Sequence, residues 1–363
     1  MSTSGLSREG CFSHHVGAPG QPARGALAKA MCPLTVGLCM AVALVVVALA
    51  SSRQNILTGK VICLDPGHGG TAASDTFRVG PTGEREEWIN LRVALLLRRL
   101  LEARGAKVLM TRTEDADVPL TDRARCAIEG RADVFLSIHH NATADTSVNF
   151  PVVYFHGNAS ENQASVRLGQ CLICALACAL HSPQAPLSLV SDHTIFPAAG
   201  TAVLRGTYGI PGVIAEASFF TNPAEEERLK QAAYNRREAE AYVRGLERFF
   251  REEVLPILPK GSKVQVDTFR VFQEAARMSP VAQLWHEDVL RARRLSVKED
   301  LDSLRLAYEL YTRSARSFPD SYLARECHLG RARLLSLLGM ARESQMAELR
   351  AHEHYVPIDC VGP

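Results

Sequence analysis

The sequence predicts an α/β protein: a mainly parallel sheet flanked by helices on both faces, followed by a C-terminal all-helical region. Three observations carry this. From Lys60 to about residue 250, short β-branched runs alternate with helical patterns of ten or more residues, the mark of crossover units. After a Pro-containing stretch at 254–263, glycines and β-branched residues thin out and Arg, Leu, Ala and Glu dominate. Ahead of both lies a charge-free run, Met31 to Ala50, whose composition fits neither.

In chain order, residues 1–30 are rich in Ser, Gly, Ala and Pro without periodicity and are predicted to be disordered. MCPLTVGLCMAVALVVVALA, 31–50, is long enough to cross a bilayer as a helix. Its end, Ala48-Leu49-Ala50 before Ser51, is a small-x-small pattern that a signal peptidase could cut. Segment 31–52 is therefore read as a signal peptide or membrane anchor, with its basic flank inside and the rest exported. That places the protein in the periplasm or cell envelope, tethered to the inner membrane if the segment stays uncut.

The predicted α/β unit, 58–253, opens with the strand KVICL (60–64), which runs into a Gly-rich loop. EEWINLRVALLLRRLLEARG (86–105) has apolar residues at helical spacing and stops at Gly105. AKVLMT is the next strand, and a helix follows near Leu120 to Glu129. DVFLSI (133–138) and PVVYF (151–155) are strands, then comes a helix at about 160–181 carrying three cysteines. GVIAEA (212–217) leads to a helix from about Pro223 to Glu253. A linker is predicted at 254–263, then a helical region, 264–350. Within it, the spacing of Ala307, Tyr311, Ala315, Pro319, Ala324, Leu329 and Gly339 resembles one tetratricopeptide hairpin.

Composition narrows the function classes. A formal charge of +2 on 363 residues gives no global basic signal, so no nucleic-acid partner is expected. Of ten cysteines, Cys171, Cys174 and Cys178 fall at i, i+3 and i+7 on one helical face. The spacing could hold a metal, but no fourth ligand is near, and a small-residue stripe packed on the sheet is the reading taken. Ser137 lacks a nucleophile-elbow pattern. His352 and His354 sit in a polar tail and are expected to be solvated. Arg112 and Asp115 follow a strand and are expected to organise that loop.

Four polar residues fall where strands end or helices begin: His68 after the first strand, Glu86 at the start of the first long helix, His139 closing DVFLSI, and Glu216 near the end of GVIAEA. In an open parallel sheet, sites form at the C-terminal rim of the strands. Two imidazoles and one carboxylate around an open fourth position make a catalytic zinc site, and a second carboxylate serves as general base. His68, Glu86 and His139 are thus the candidate metal ligands for Zn²⁺, and Glu216 the candidate catalytic base.

Five ordered stretches, LDPGHGG (64–70), EEWINL (86–91), MTRTED (110–115), FLSIHHNA (135–142) and GVIAEASFFTNPAEEERL (212–229), resemble the zinc-dependent N-acetylmuramoyl-L-alanine amidases of the amidase-3 type. The resemblance implies a twisted, mostly parallel sheet and places the family's metal ligands on His68, Glu86 and His139 and its catalytic Glu on Glu216. It implies a peptidoglycan substrate, cut between N-acetylmuramic acid and L-alanine. The chain departs from the family at His140, where a small residue is usual, and at Glu216-Ala217-Ser218-Phe219, where Glu-Pro-Gly-Phe is usual. His140 is expected to line the groove rather than ligate, because neighbouring strand residues point to opposite faces. The interval from His139 to Glu216 leaves little room for the long inhibitory helix some relatives carry. Two other readings stay open: a glycan-peptide binding protein without chemistry, and a zinc amidohydrolase or peptidase of different substrate. The C-terminal helices are a candidate docking surface for a protein partner.

Overall fold

The computed structural model describes residues 55–73 and 78–360, apart from the side chains of 274 and 275. The segment 1–30 and the signal or anchor segment 31–52 lie outside the described residues. The chain runs β1 (Val61–Pro66), α1 (Glu86–Glu102), β2 (Lys107–Met110), α2 (Leu120–Glu129), β3 (Val134–Asn141), β4 (Val152–Phe155), α3 (Gln163–Leu180), β5 (Ser188–Ser191), α4 (Ala202–Gly206) and β6 (Gly212–Phe219). Then come α5 (Pro223–Leu229), α6 (Ala232–Phe250), α7 (Glu274–Arg277), α8 (Pro280–Gln283), α9 (Trp285–Leu295), α10 (Leu301–Ser317), α11 (Ala324–Leu337), α12 (Ala341–Glu353) and β7 (Tyr355–Val356).

The sheet order is β2-β1-β3-β6-β4-β5-β7. Strands β2, β1, β3 and β6 pair in parallel, as does β4 with β5. The joins β4–β6 and β5–β7 are antiparallel, so the sheet is mixed around a parallel centre. Central strands such as VFLSI are buried on both faces, which their near-continuous apolar runs require. The helix predicted over 223–253 is two helices. Arg92 and Asn235 both donate to the Leu229 carbonyl, 3.1 and 2.8 Å, which satisfies an acceptor that α5 leaves without a helical partner. β5 and β7 were not anticipated; runs of four and two residues are too short to show a period.

One face of the sheet is covered by α1, α3 and α6, with Leu97, Leu172 and Tyr242 fully buried in that core. By length and mean hydropathy α3 could span a bilayer, but it is largely buried in this layer. The other face is shared. Next to α2 and α4, the C-terminal helices cover the side around β4 and β6. Phe150 meets Phe219, Phe318 and Tyr322 at 5.1–6.1 Å between ring centroids, and Trp285 meets Phe318 at 4.9 Å. The positions that resemble a tetratricopeptide hairpin, Ala307, Tyr311, Ala315 and Ala324, are buried in this same core.

Four expectations need correction. Residues from Asn55 onward form one compact unit, so the helical region shares a core with the sheet. The segment read as a linker is tied down: Leu258 N–H donates to the Glu161 carbonyl at 2.7 Å and Lys263 N–H to its carboxylate at 2.9 Å. The cysteine stripe is split. Cys171 packs in the core, Cys178 is exposed, and Cys174 forms a disulfide with Cys360 that clamps the tail to α3. His354, expected in solvent, is 2% exposed, because β7 draws the tail into the sheet; His352 is exposed.

Candidate active site

β1 delivers the chain to Asp65, which is buried and accepts from Arg123 at 2.8 Å, Thr111 at 2.6 Å and Ser137 at 2.7 Å. Burial alone would raise its pKa, but the Arg123 guanidinium and the two hydroxyls hold it below the usual range. Arg123 also donates to the Pro66 and His68 carbonyls, 2.8 and 2.6 Å, and Arg112 to those of Pro66 and Gly67, both 2.9 Å. Two buried guanidiniums thus shape the loop after β1, and Arg112 also donates to the Glu114 carbonyl at 3.0 Å in its own loop, the one it was expected to organise. Asp115 accepts from Gly70 N–H at 2.7 Å and from the Trp88 indole at 3.0 Å.

The glycines of this loop serve neighbours rather than openness around His68. A Cβ on Gly67 would lie 2.2 Å from the His139 ring, so only glycine lets that imidazole pass. Gly69 has φ +124° with the Ala116 carbonyl where a side chain would be. His68 itself is left-handed at φ +58°, a costly conformation for a non-glycine residue that the surrounding bonds enforce.

The structure brings the three predicted ligands together. His68 Nε2 lies 3.2 Å from Glu86 Oε2, and His139 Nδ1 lies 2.9 Å from Glu86 Oε1. The imidazole centroids are 4.7 Å apart and perpendicular. One ligand atom from each residue falls within 4.8 Å of the others. Burial would raise the Glu86 pKa, but the flanking imidazoles hold it well below the carboxylate range. Burial lowers that of His139, against the pull of Glu86. Asn90, one helical turn after Glu86, donates to Glu86 Oε1 at 3.2 Å and orients it.

Glu216 is the Cα partner of His139 across the β3–β6 ladder. Its Oε2 is buried without a hydrogen-bond partner. Burial first, then Glu86 and Asp320, push its pKa well above the carboxylate range, against the pull of Arg78 and Arg277. The stretch Ala217-Ser218-Phe219 stays in β6 and is buried. It is pinned by the Phe219 N–H to Asn149 Oδ1 at 3.0 Å and by His181 to the Ala217 carbonyl at 2.9 Å. No separate loop follows the base.

His140 does not line the groove. It points to the far side of β3 and bridges Asn90 at 2.9 Å and Glu238 at 3.2 Å in a fully buried network. Burial opposes its charge, but Glu238 outweighs this and raises its pKa. The period-two argument was right; its destination is the helix core.

Sequence reasoning missed several neighbours. Arg78 Nη1 is 2.6 Å from His68 Nδ1. Asp320, in the α10–α11 turn, accepts from the Tyr154 hydroxyl and from Arg277 at 3.1 Å, and these groups stand beside Glu216. No local pattern marks Asp320 or Arg277. Asn90 alone carried a signal, its i+4 spacing from Glu86. The site opens into a cavity of about 590 Å³, lined by His68, His139, Tyr154, Thr201 and Glu216, with exposed Phe196 and Leu120 at its edge.

Residues 62–248 match the profile of the Amidase_3 family, N-acetylmuramoyl-L-alanine amidase, and the chain belongs to this family. A probable cell wall amidase LytH of Staphylococcus epidermidis is 33% identical over 203 residues, covering 55% of this chain and 62% of that one. The N-acetylmuramoyl-L-alanine amidase LytC of Bacillus subtilis is 30% identical over 203 residues, covering 56% and 38%. The chain therefore spans less than two thirds of either relative. A solved N-acetylmuramoyl-L-alanine amidase from Clostridium difficile aligns over 54% of this chain and 99% of its own, at 26% identity and a TM-score of 0.47.

Proposed function

We propose that this protein is a zinc-dependent amidase that hydrolyses the bond between N-acetylmuramic acid and the L-alanine of the peptidoglycan stem peptide. The observation that carries the reading is a three-ligand cluster within 4.8 Å beside a buried, unpartnered Glu216 oxygen on the next strand. The donor set of two imidazoles and one carboxylate fits zinc with a position left for chemistry. Zinc held by His68, Glu86 and His139 would supply a Lewis acid for the scissile carbonyl.

The chain's own residues do the rest. Asn90 fixes the Glu86 carboxylate, and Gly67 lets His139 into place. Glu216 accepts the proton of the attacking water and passes it to the leaving nitrogen. A carboxyl pushed up by burial keeps a proton readily, while a nearby cation favours its ionised form, so the same group can serve as base and then as acid. Arg78, close to His68, and Arg277 place positive charge near Glu216. The exposed Phe196 and Leu120 give the cavity edge apolar faces suited to a sugar ring.

Export agrees with this substrate: the charge-free run 31–50 suits a signal or inner-membrane anchor, and the Cys174–Cys360 disulfide suits an oxidising compartment. Much of the apolar surface of the C-terminal helices packs against the sheet, while Leu290, Leu301 and Leu337 stay exposed, so a protein partner would meet an outer surface of mixed character. The test is product analysis. Purified sacculi treated with the protein should release peptides with new L-Ala amino termini and intact glycan, and a chelator should stop this. A metal-loaded protein that frees no such termini, or cuts within the glycan or peptide, overturns the reading.

A further inference from the structure

A second cluster of ligating side chains lies at the other end of the sheet. β4 is antiparallel to β6, so its C-terminal end, followed by His156, lies toward the start of β6 and away from the end that carries Glu216. β5 runs parallel beside β4 with Phe155 opposite Ser191, which sets Asp192 and His193 next to His156. β7 runs antiparallel to β5 with Tyr355 opposite Val190, which brings His354 in from the tail. His156, Asp192 and His193 each place one ligand atom within 4.8 Å of the others. The His193 ring is 5.4 Å from that of His156 and 5.7 Å from that of His354.

The hydrogen bonds in this cluster leave its ligating atoms over. His156 Nδ1 meets Asp192 Oδ2 at 2.9 Å, and Thr201 donates twice to the same oxygen at 2.7 and 2.8 Å. Asp192 Oδ1, His156 Nε2 and both nitrogens of His354 are buried without a partner. These side chains are at most 2% exposed. Buried polar atoms are rarely left so, and several converging orphans point to an ion or water. Gly200 closes one side of the carboxylate, where a Cβ would lie 2.5–2.6 Å from Asp192 and His156. The remaining side faces His193, whose Nε2 is 4.0 Å from Asp192 Oδ1.

We propose that His156, Asp192 and His193, whose ligand atoms already lie within 4.8 Å of one another, bind a second divalent metal of the zinc class, with His354 brought in beside the His193 ring as the fourth ligand, in a site separate from His68, Glu86 and His139. An imidazole-rich set with one carboxylate suits zinc, and four protein ligands make a structural site without an open position. The ion fastens the C-terminal tail to the loop 192–201, whose Ile195, Phe196 and Thr201 line the catalytic cavity.

The test uses the full chain in mild detergent, stripped of metal and returned to equilibrium with zinc alone. Metal content and thermal midpoint are read on wild type, His193→Ala, His354→Gln and His68→Ala. His193 is partly exposed, so its truncation is expected to leave the fold intact. The expected result is one zinc fewer in His193→Ala and in His354→Gln than in wild type. The double variant His68→Ala/His193→Ala should lose two, and zinc should raise the wild-type midpoint more than that of His193→Ala. If His354→Gln does not fold, His193→Ala decides alone. Equal zinc content and an equal zinc-induced midpoint shift in wild type and His193→Ala overturn the proposal. Loss of peptide release in His68→Ala bears only on the catalytic site.

Discussion

His139 and Glu216 stand opposite each other in the parallel β3–β6 ladder, and both face the same cavity. Adjacent strands thereby hold a candidate ligand imidazole and an unpartnered carboxyl oxygen one strand spacing apart, which is about 4.8 Å. Neither side chain depends on a mobile loop for its place. Glu86 enters from the first turn of α1, and His68 from a left-handed loop position locked by Arg123 and Arg78.

Asp320 contributes negative charge beside Glu216, after burial and Glu86 in order of effect. Replacing Asp320 with Asn should let Glu216 ionise at lower pH. The acid limb of kcat/KM for peptide release then moves down by about one pH unit. An unmoved limb would mean that the C-terminal helices do not tune the base.

Glu216 also sets a pH dependence of stability in the metal-free protein. Its pKa is raised in the fold, so the unfolded chain ionises first, from about its ordinary 4.5. Stability conferred by the protonated form is complete below that value and is lost as pH rises toward the folded-state pKa. Glu216→Gln should flatten this slope. Chemical denaturation of wild type and variant across pH 4 to 8 checks it, and parallel slopes would count against it.

His140 links Asn90 to Glu238 in the core. His140→Ala leaves the buried Glu238 carboxylate without its imidazole and should cost about 3–5 kcal/mol in urea unfolding. A residue that merely lined the groove would cost within about 0.5 kcal/mol.

The Cys174–Cys360 bridge closes a sequence separation of 186 residues. Reduction, or Cys174→Ser, should lower stability by about 2–4 kcal/mol. A reductant should then have no further effect on the variant, and equal sensitivity in both would show that the bridge does not form.

Much of the site was legible because it sits on periodic elements. A residue at the end of a strand on the C-terminal rim can be placed from the strand alone, and His68, His139 and Glu216 are such residues. Glu86 follows from its place at the head of the first long helix; Asn90, not singled out in the sequence, shares its face by the i+4 spacing. What could not be read lies far apart in the chain. Tyr154 meets Asp320 across 166 positions, and Cys174 meets Cys360 across 186. The two-residue β7 carries no period, yet it turns a polar tail into a sheet edge and buries His354. Gly67 makes room for a ring that arrives from 72 residues later, a need that no pattern within the Gly-rich loop itself displays.

The most direct measurement pairs zinc content with turnover on sacculi for Glu216→Gln. The account predicts that the variant binds as much zinc as wild type and is slower by roughly 10²–10⁴-fold, the share of a general base. Wild-type turnover in Glu216→Gln at full zinc content would contradict it.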